Sequence, residues 1–236
     1  MWNESFFSAP QLKRDSLGST IPFVTKPVRP SPRSPLLIRW IRSATYRFSY
    51  KRTLCTIPVA IFAPDADEKA VCYPKIQAAL RLVEQHDPRR FRQLQRYVRA
   101  IILGAHPIYS AQWFEEDRTC ELGLAYVMAS TTTPSRLAAT IIHETTHARL
   151  FRLGIDYAEA RRARVEAICY KAQVDFASRL PDGAKIVPEL QRWLEPDPAY
   201  YASSSFRERE FESLSKLGCP EWIIRAVRWV SRTRAA

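Results

Sequence analysis

Glycine is scarce in this 236-residue chain, 6 residues against 17 prolines, which argues against a Gly-rich nucleotide-binding α/β fold. Cysteine is thin as well: Cys55, Cys72, Cys120, Cys169 and Cys219 lie far apart, are odd in number and form no Cys-x-x-Cys pair. Neither a disulfide framework nor a cysteine-based zinc module follows, and a reducing, cytoplasmic setting is expected. No uncharged stretch reaches bilayer length, and Lys13, Arg14 and Asp15 interrupt the only early candidate for a secretory signal. Internal repeats and heptad runs are missing too.

What is present is enough for a core. Apolar residues make up 46% and aromatics 11% of the chain, so wholesale disorder is excluded and one fair-sized domain is expected. The formal charge of +12 favours anionic surfaces, and residues 1–52 hold +8 of it. Pro10, Pro22, Pro27, Pro30, Pro32 and Pro35 deny that stretch continuous helix. Residues 1–35 therefore read as an extended or disordered basic arm, and 36–236 as a single domain with a helical cover from about residue 182. Leu36 to Tyr50, with Arg39, Arg42 and Arg47 among its apolar residues, could lie on an anionic membrane surface or pack on the core. Because the excess charge sits in the arm and not on the folded unit, a nucleic-acid partner is not required.

Thr53–Ala63 reads as one strand, an edge strand given Pro58. Pro74–Gln85 reads as a helix, and Asp87 with Pro88 opens another, expected to run through Ile101 to Gly104. Thr119–Ser130 alternates with the period of a strand. Thr133 can cap and Pro134 start a helix that continues to Gly154. A further helix is expected from Asp156 as cap to about Leu180, ended by Pro181. Ser204 or Ser205 and Pro220 open the last two.

The helix before Gly154 carries His143-Glu144-Thr145-Thr146-His147. Histidines at i and i+4 share a helix face, and their imidazoles can converge on a zinc ion at about 2.0–2.1 Å. Glu144 beside them can take a proton from the attacking water and return it to the leaving amine. The competing reading, two surface histidines and a solvated glutamate, fits poorly with the flanking Ala138, Ala139, Ile141, Ile142, Ala148, Leu150 and Phe151. Polar groups on so apolar a helix need partners.

Catalytic zinc takes three protein ligands and an open position. A third ligand six residues past the second histidine is excluded, because Leu153 stands there. If Gly154 turns the chain into a helical hairpin, the histidine pair lies roughly 12 Å above the turn at 1.5 Å per residue. Glu166 reaches a matching height, roughly 13–14 Å, whereas Glu159 sits only about 3 Å up. Glu159 also lies among Arg161, Arg162 and Arg164, while Val165, Ala167, Ile168 and Cys169 frame Glu166. His86, His106, Tyr109, Tyr157, Tyr170 and Cys169 each read as structural, with Cys169 a core residue.

At Ile141–His147 and Glu166 the chain resembles the zincin metallopeptidases, specifically the glutamate-zincin group, over roughly residues 88–181. The resemblance implies an α+β, predominantly helical fold with a small antiparallel sheet, an active-site helix and a glutamate-bearing helix. It also implies that the strand before the active-site helix, here Glu121–Ser130, pairs with extended substrate. The chain departs from the larger members where Tyr170 replaces an acid, which leaves open what orients His143. The expectation is a Zn2+-dependent hydrolase of peptide or protein substrates, with His143, His147 and Glu166 on the metal and Glu144 as general base. The alternative is a non-catalytic zincin-like binding protein docked to nucleic acid or anionic membrane through its arm.

Overall fold

The computed structural model describes residues 46–47, 49–62, 66–104, 110–194, 198–202 and separate positions between 204 and 225. The basic arm, the loop with His106 and Tyr109, and most of the helices expected after Ser204 and Pro220 lie outside the described residues.

Strands β1 (Tyr50–Leu54) and β2 (Ile57–Ile61) form a hairpin. The expected single strand is thus split by Cys55 and Thr56, both at positive φ, 46° and 68°. That backbone suits a two-residue hairpin turn, because its twist matches that of the strands. Helices α1 (Ala66–His86) and α2 (Pro88–Tyr97) follow, so Pro74 lies inside α1 rather than at its start. Asp87 caps α2 as expected, its carboxylate accepting the Arg90 N–H at 3.0 Å. The same carboxylate takes the side chains of Arg90 at 2.9 Å and Arg179 at 2.8 Å.

Helix α2 stops at Tyr97, and Ala100–Gly104 is strand β3, buried throughout. A short, unbroken apolar run buried on both faces suits a central strand, whose backbone groups find partners on either side. Strands β4 (Ala111–Phe114) and β5 (Thr119–Gly123) and a short helix α3 (Leu124–Met128) come next. Alternation in the expected strand Thr119–Ser130 therefore persists only to Gly123. Beyond it, Lys75 Nζ donates to the carbonyls of Val127 and Ala129 at the end of α3.

The sheet order is β1-β2-β3-β5-β4. It is mixed, not antiparallel: β2–β3 and β3–β5 run parallel, and the outer pairs antiparallel. The α1–α2 crossover between β2 and β3 supplies the long connection that parallel pairing needs. It also makes β2 an inner strand. Pro58 is tolerated there because the β2–β3 ladder begins only at Val59.

The remaining elements are α4 (Pro134–Arg152), α5 (Glu159–Ala177), α6 (Gly183–Gln191) and a 3-10 turn at Pro198–Tyr201. Helix α4 packs on α1, α2, α5 and β4 and is buried over most of its surface. Leu137, Ile141 and Ile142 are fully buried, each contributing about 1.5–3 kcal/mol of burial. Truncating Ile142 to Ala would cost about 2–5 kcal/mol. The result is an α+β fold in which one buried helix carries the motif.

Candidate metal centre

Helix α4 begins as its sequence dictates. Thr133 accepts the Arg136 N–H at 3.2 Å, and Pro134 occupies the first turn, where a missing N–H costs nothing. It ends at Gly154, whose φ of 78° disfavours any residue with a Cβ. There the Ile155 N–H reaches the Leu150 carbonyl at 3.0 Å and the Gly154 N–H reaches that of Phe151 at 2.9 Å. Ile155 also packs against Leu150. This paired closure sends α5 back along α4. The cap of α5 falls at Ala158, not at Asp156, whose carboxylate instead accepts the Ala158 N–H and pairs with Arg161.

The hairpin brings His143, His147 and Glu166 together. Their separations are 3.1 Å between the two Nε2 atoms, 3.2 Å from His143 Nε2 to Glu166 Oε2 and 3.5 Å from His147 Nε2 to Glu166 Oε1. Ligands about 2.0–2.1 Å from a tetrahedral ion stand about 3.3–3.4 Å apart. The donor set therefore fits zinc in chemistry and in spacing. Glu159, by contrast, is exposed at the start of α5.

All three groups are nearly or partly buried, Glu166 at 7% exposure and His143 at 8%. Burial alone would raise the Glu166 carboxyl, but hydrogen bonds and charge from His143 and His147 outweigh it and hold the group well below the usual range. Tyr157, from the turn before α5, donates its hydroxyl to Glu166 Oε1 and sets its ring edge-on to His147. Glu166 Oε2 is thereby left to face His143.

His143 Nδ1 stands 3.1 Å from Gln173 Oε1. An amide oxygen only accepts, so Nδ1 carries the proton, and in the neutral ring Nε2 is the nitrogen left to ligate. Gln173, two turns after Glu166 and buried, is thus the group that orients His143. Sequence reasoning missed it because the resemblance directed attention to Tyr170. Tyr170 instead lays its ring edge on His143, with centroids 4.6 Å apart, and stacks on Trp193. Thr145 and Thr146 return their hydroxyls to the carbonyls of Ile141 and Ile142 at 2.7 and 2.8 Å. Both threonines of the buried motif therefore have a partner.

Glu144 is 5% exposed. Burial pushes its carboxyl up to about 7; the charge of Glu166 adds to this, while His143 and the Trp113 backbone N–H oppose it. Trp113, whose backbone N–H favours the Glu144 carboxylate, lies on the strand that borders the site. Gly123 donates to the Ser110 carbonyl, so with the observed register Gln112 and Phe114 bond toward β5. Ala111 and Trp113 then direct their N–H and C=O groups away from β5, toward the outer edge. The sheet edge beside Glu144 is β4. Strand β5, within the expected segment Glu121–Ser130, is internal and already paired on both sides.

Cys169 was expected in the core. It is fully buried against Leu150 and Val165, yet its Sγ and ligand atoms of His143 and His147 all lie within 4.8 Å of one another. Burial, reinforced by the charges of Glu166 and Glu144, raises its thiol well above the ordinary range.

Comparison with protein-family models, curated proteins and solved structures finds no match to this chain. No described helix is long and apolar enough to cross a membrane.

Proposed function

We propose that the protein is a zinc-dependent hydrolase that cleaves peptide bonds in extended substrates. The observation that carries the reading is the cluster of His143, His147 and Glu166, with contacts of 3.1 Å between the Nε2 atoms and 3.2 and 3.5 Å from them to the two carboxylate oxygens, and the buried carboxylate of Glu144 adjoining it. His143, His147 and Glu166 would hold the ion. Zinc bound there lowers the pKa of water and polarises a carbonyl.

The chain supplies the rest. Glu144, whose burial brings its pKa near neutrality, takes a proton from the attacking water and delivers it to the leaving amine. The outer edge of β4 pairs with an extended peptide through the Ala111 N–H and C=O and the Trp113 C=O, while the Trp113 N–H fixes Glu144. Gln173 and Tyr157 hold His143 and Glu166 in their ligating orientations.

The test is metal content beside hydrolysis of a mixed peptide library. Purified protein is expected to bind one zinc per chain, and His143→Ala and Glu166→Ala to lose it. Glu144→Gln should keep zinc and lose hydrolysis, and Glu159→Ala should keep both. Zinc retention in Glu166→Ala would overturn the ligand set. A metal-loaded protein that cleaves nothing would favour the non-catalytic binding alternative.

A further inference from the structure

The described metal-ligating side chains include one that the hydrolase reading leaves without work. Glu166 and Cys169 are i and i+3 on α5, a spacing that sets both on one helix face. That face meets α4 at the histidines. Two chemically different side chains, a carboxylate and a thiol, therefore lie beside the same pair of imidazoles. Glu166 offers a hard oxygen at 3.2–3.5 Å from the Nε2 atoms. Cys169 offers a soft sulfur within 4.8 Å of both rings' ligand atoms. His143, His147 and Cys169 form a possible ligand group that does not include Glu166.

In a tetrahedral site with bonds of about 2.3 Å to sulfur and 2.0–2.1 Å to nitrogen, sulfur and nitrogen stand about 3.6 Å apart. Closing any gap to Cys169 thus takes a shift of no more than about 1 Å, within reach of a rotation about its Cα–Cβ bond. The surroundings favour an inward-facing sulfur. Cys169 shares a small buried cluster with Leu150 and Val165 and is 0% exposed, so solvent does not compete for its sulfur.

The geometry points to Cys169 as a fourth, exchangeable ligand that closes the metal site at rest. As the sulfur–metal bond forms, the S–H bond breaks and its proton passes to solvent; nothing is oxidised or reduced. Four protein ligands then leave no open position, the arrangement of a structural rather than a catalytic site. When sulfur withdraws and regains a proton, water enters the fourth position. A set of two nitrogens, one oxygen and one sulfur also favours zinc or cobalt over magnesium, calcium and manganese. This inference rests on the metal-site reading proposed above.

X-ray absorption at the zinc edge of the zinc-loaded full chain tests it. The expected result is one sulfur neighbour at about 2.3 Å beside nitrogen and oxygen neighbours at about 2.0–2.1 Å. In Cys169→Ala the sulfur shell disappears while the lighter shell stays. A stoichiometric zinc protein with only nitrogen and oxygen neighbours would overturn the role of Cys169 and leave the other three ligands standing. A sulfur shell that persists in Cys169→Ala would overturn it too. Failure of the wild type to take up zinc would remove the metal-site reading and this inference together. Should Cys169→Ala not fold, the cobalt-loaded wild type decides: thiolate coordination gives an intense near-ultraviolet charge-transfer band, and its absence sinks the proposal.

Discussion

His143 and Gln173 face each other across the α4–α5 pair, the imidazole Nδ1 3.1 Å from the amide oxygen. The contact spans 30 positions of sequence and fixes which nitrogen of His143 is free to bind. Gln173→Leu should weaken zinc binding about 10–100-fold. Gln173→Glu, which keeps an acceptor, should recover most of it. Competition against a chromophoric chelator measures both, and equal affinity in the leucine variant would remove the orienting role.

Glu144 makes the stability of the metal-free protein depend on pH. Its folded-state pKa, near 7, lies above the ordinary 4.5, so the folded state favours the neutral acid. The stability this provides is full below about pH 4.5 and is lost as pH rises through about 7, a penalty of at most about 3 kcal/mol at pH 8. Glu144→Gln should therefore raise the urea midpoint of metal-free protein at pH 8 and hardly change it at pH 4.5. The same gain at both pH values would refute this assignment. Glu166, held low, acts in the opposite sense, since its contribution is present above about 4.5 and disappears on acidification.

The β1–β2 turn places Cys55 and Thr56 at positive φ, a conformation that a β-branched residue such as Thr56 adopts at a cost. Replacing the pair by Asn-Gly should stabilise the protein by about 1 kcal/mol. The loss of the exposed Gln95–Thr56 hydrogen bond offsets part of this gain. Thermal unfolding checks it, and a lowered midpoint would show that the side-chain contacts outweigh the backbone strain.

Ala111 directs its N–H away from β5, so Ala111→Pro removes an outer-edge donor without breaking the ladder. For a peptide substrate KM should rise about tenfold, the value of one hydrogen bond near 1.4 kcal/mol, with Tm little changed. An unaltered KM would show that substrate does not pair with β4.

Legibility varied with distance along the chain. The boundaries of α4 were readable because Thr133, Pro134 and Gly154 act within one turn of themselves, and Glu166 was found by counting rises on two adjoining helices. Ile101 was misread as helical because a short apolar run has no period that separates a buried strand from a buried helix. The same ambiguity extended the β5 strand beyond Gly123. Pro58 misled because its missing N–H signals an edge only where a ladder hydrogen bond is required, and the β2–β3 ladder begins one residue later.

The sequence by itself determined the helical hairpin and the convergence of His143, His147 and Glu166. Both follow from helix periodicity, end-capping and a single turn, which are local properties of the chain. Only the tertiary structure decided that the sheet is mixed, that β4 is the edge beside Glu144, and that Gln173, Tyr157 and Cys169 surround the cluster. Those relationships depend on strand order and on side chains meeting across separate elements, and neither leaves a period or a spacing in the sequence.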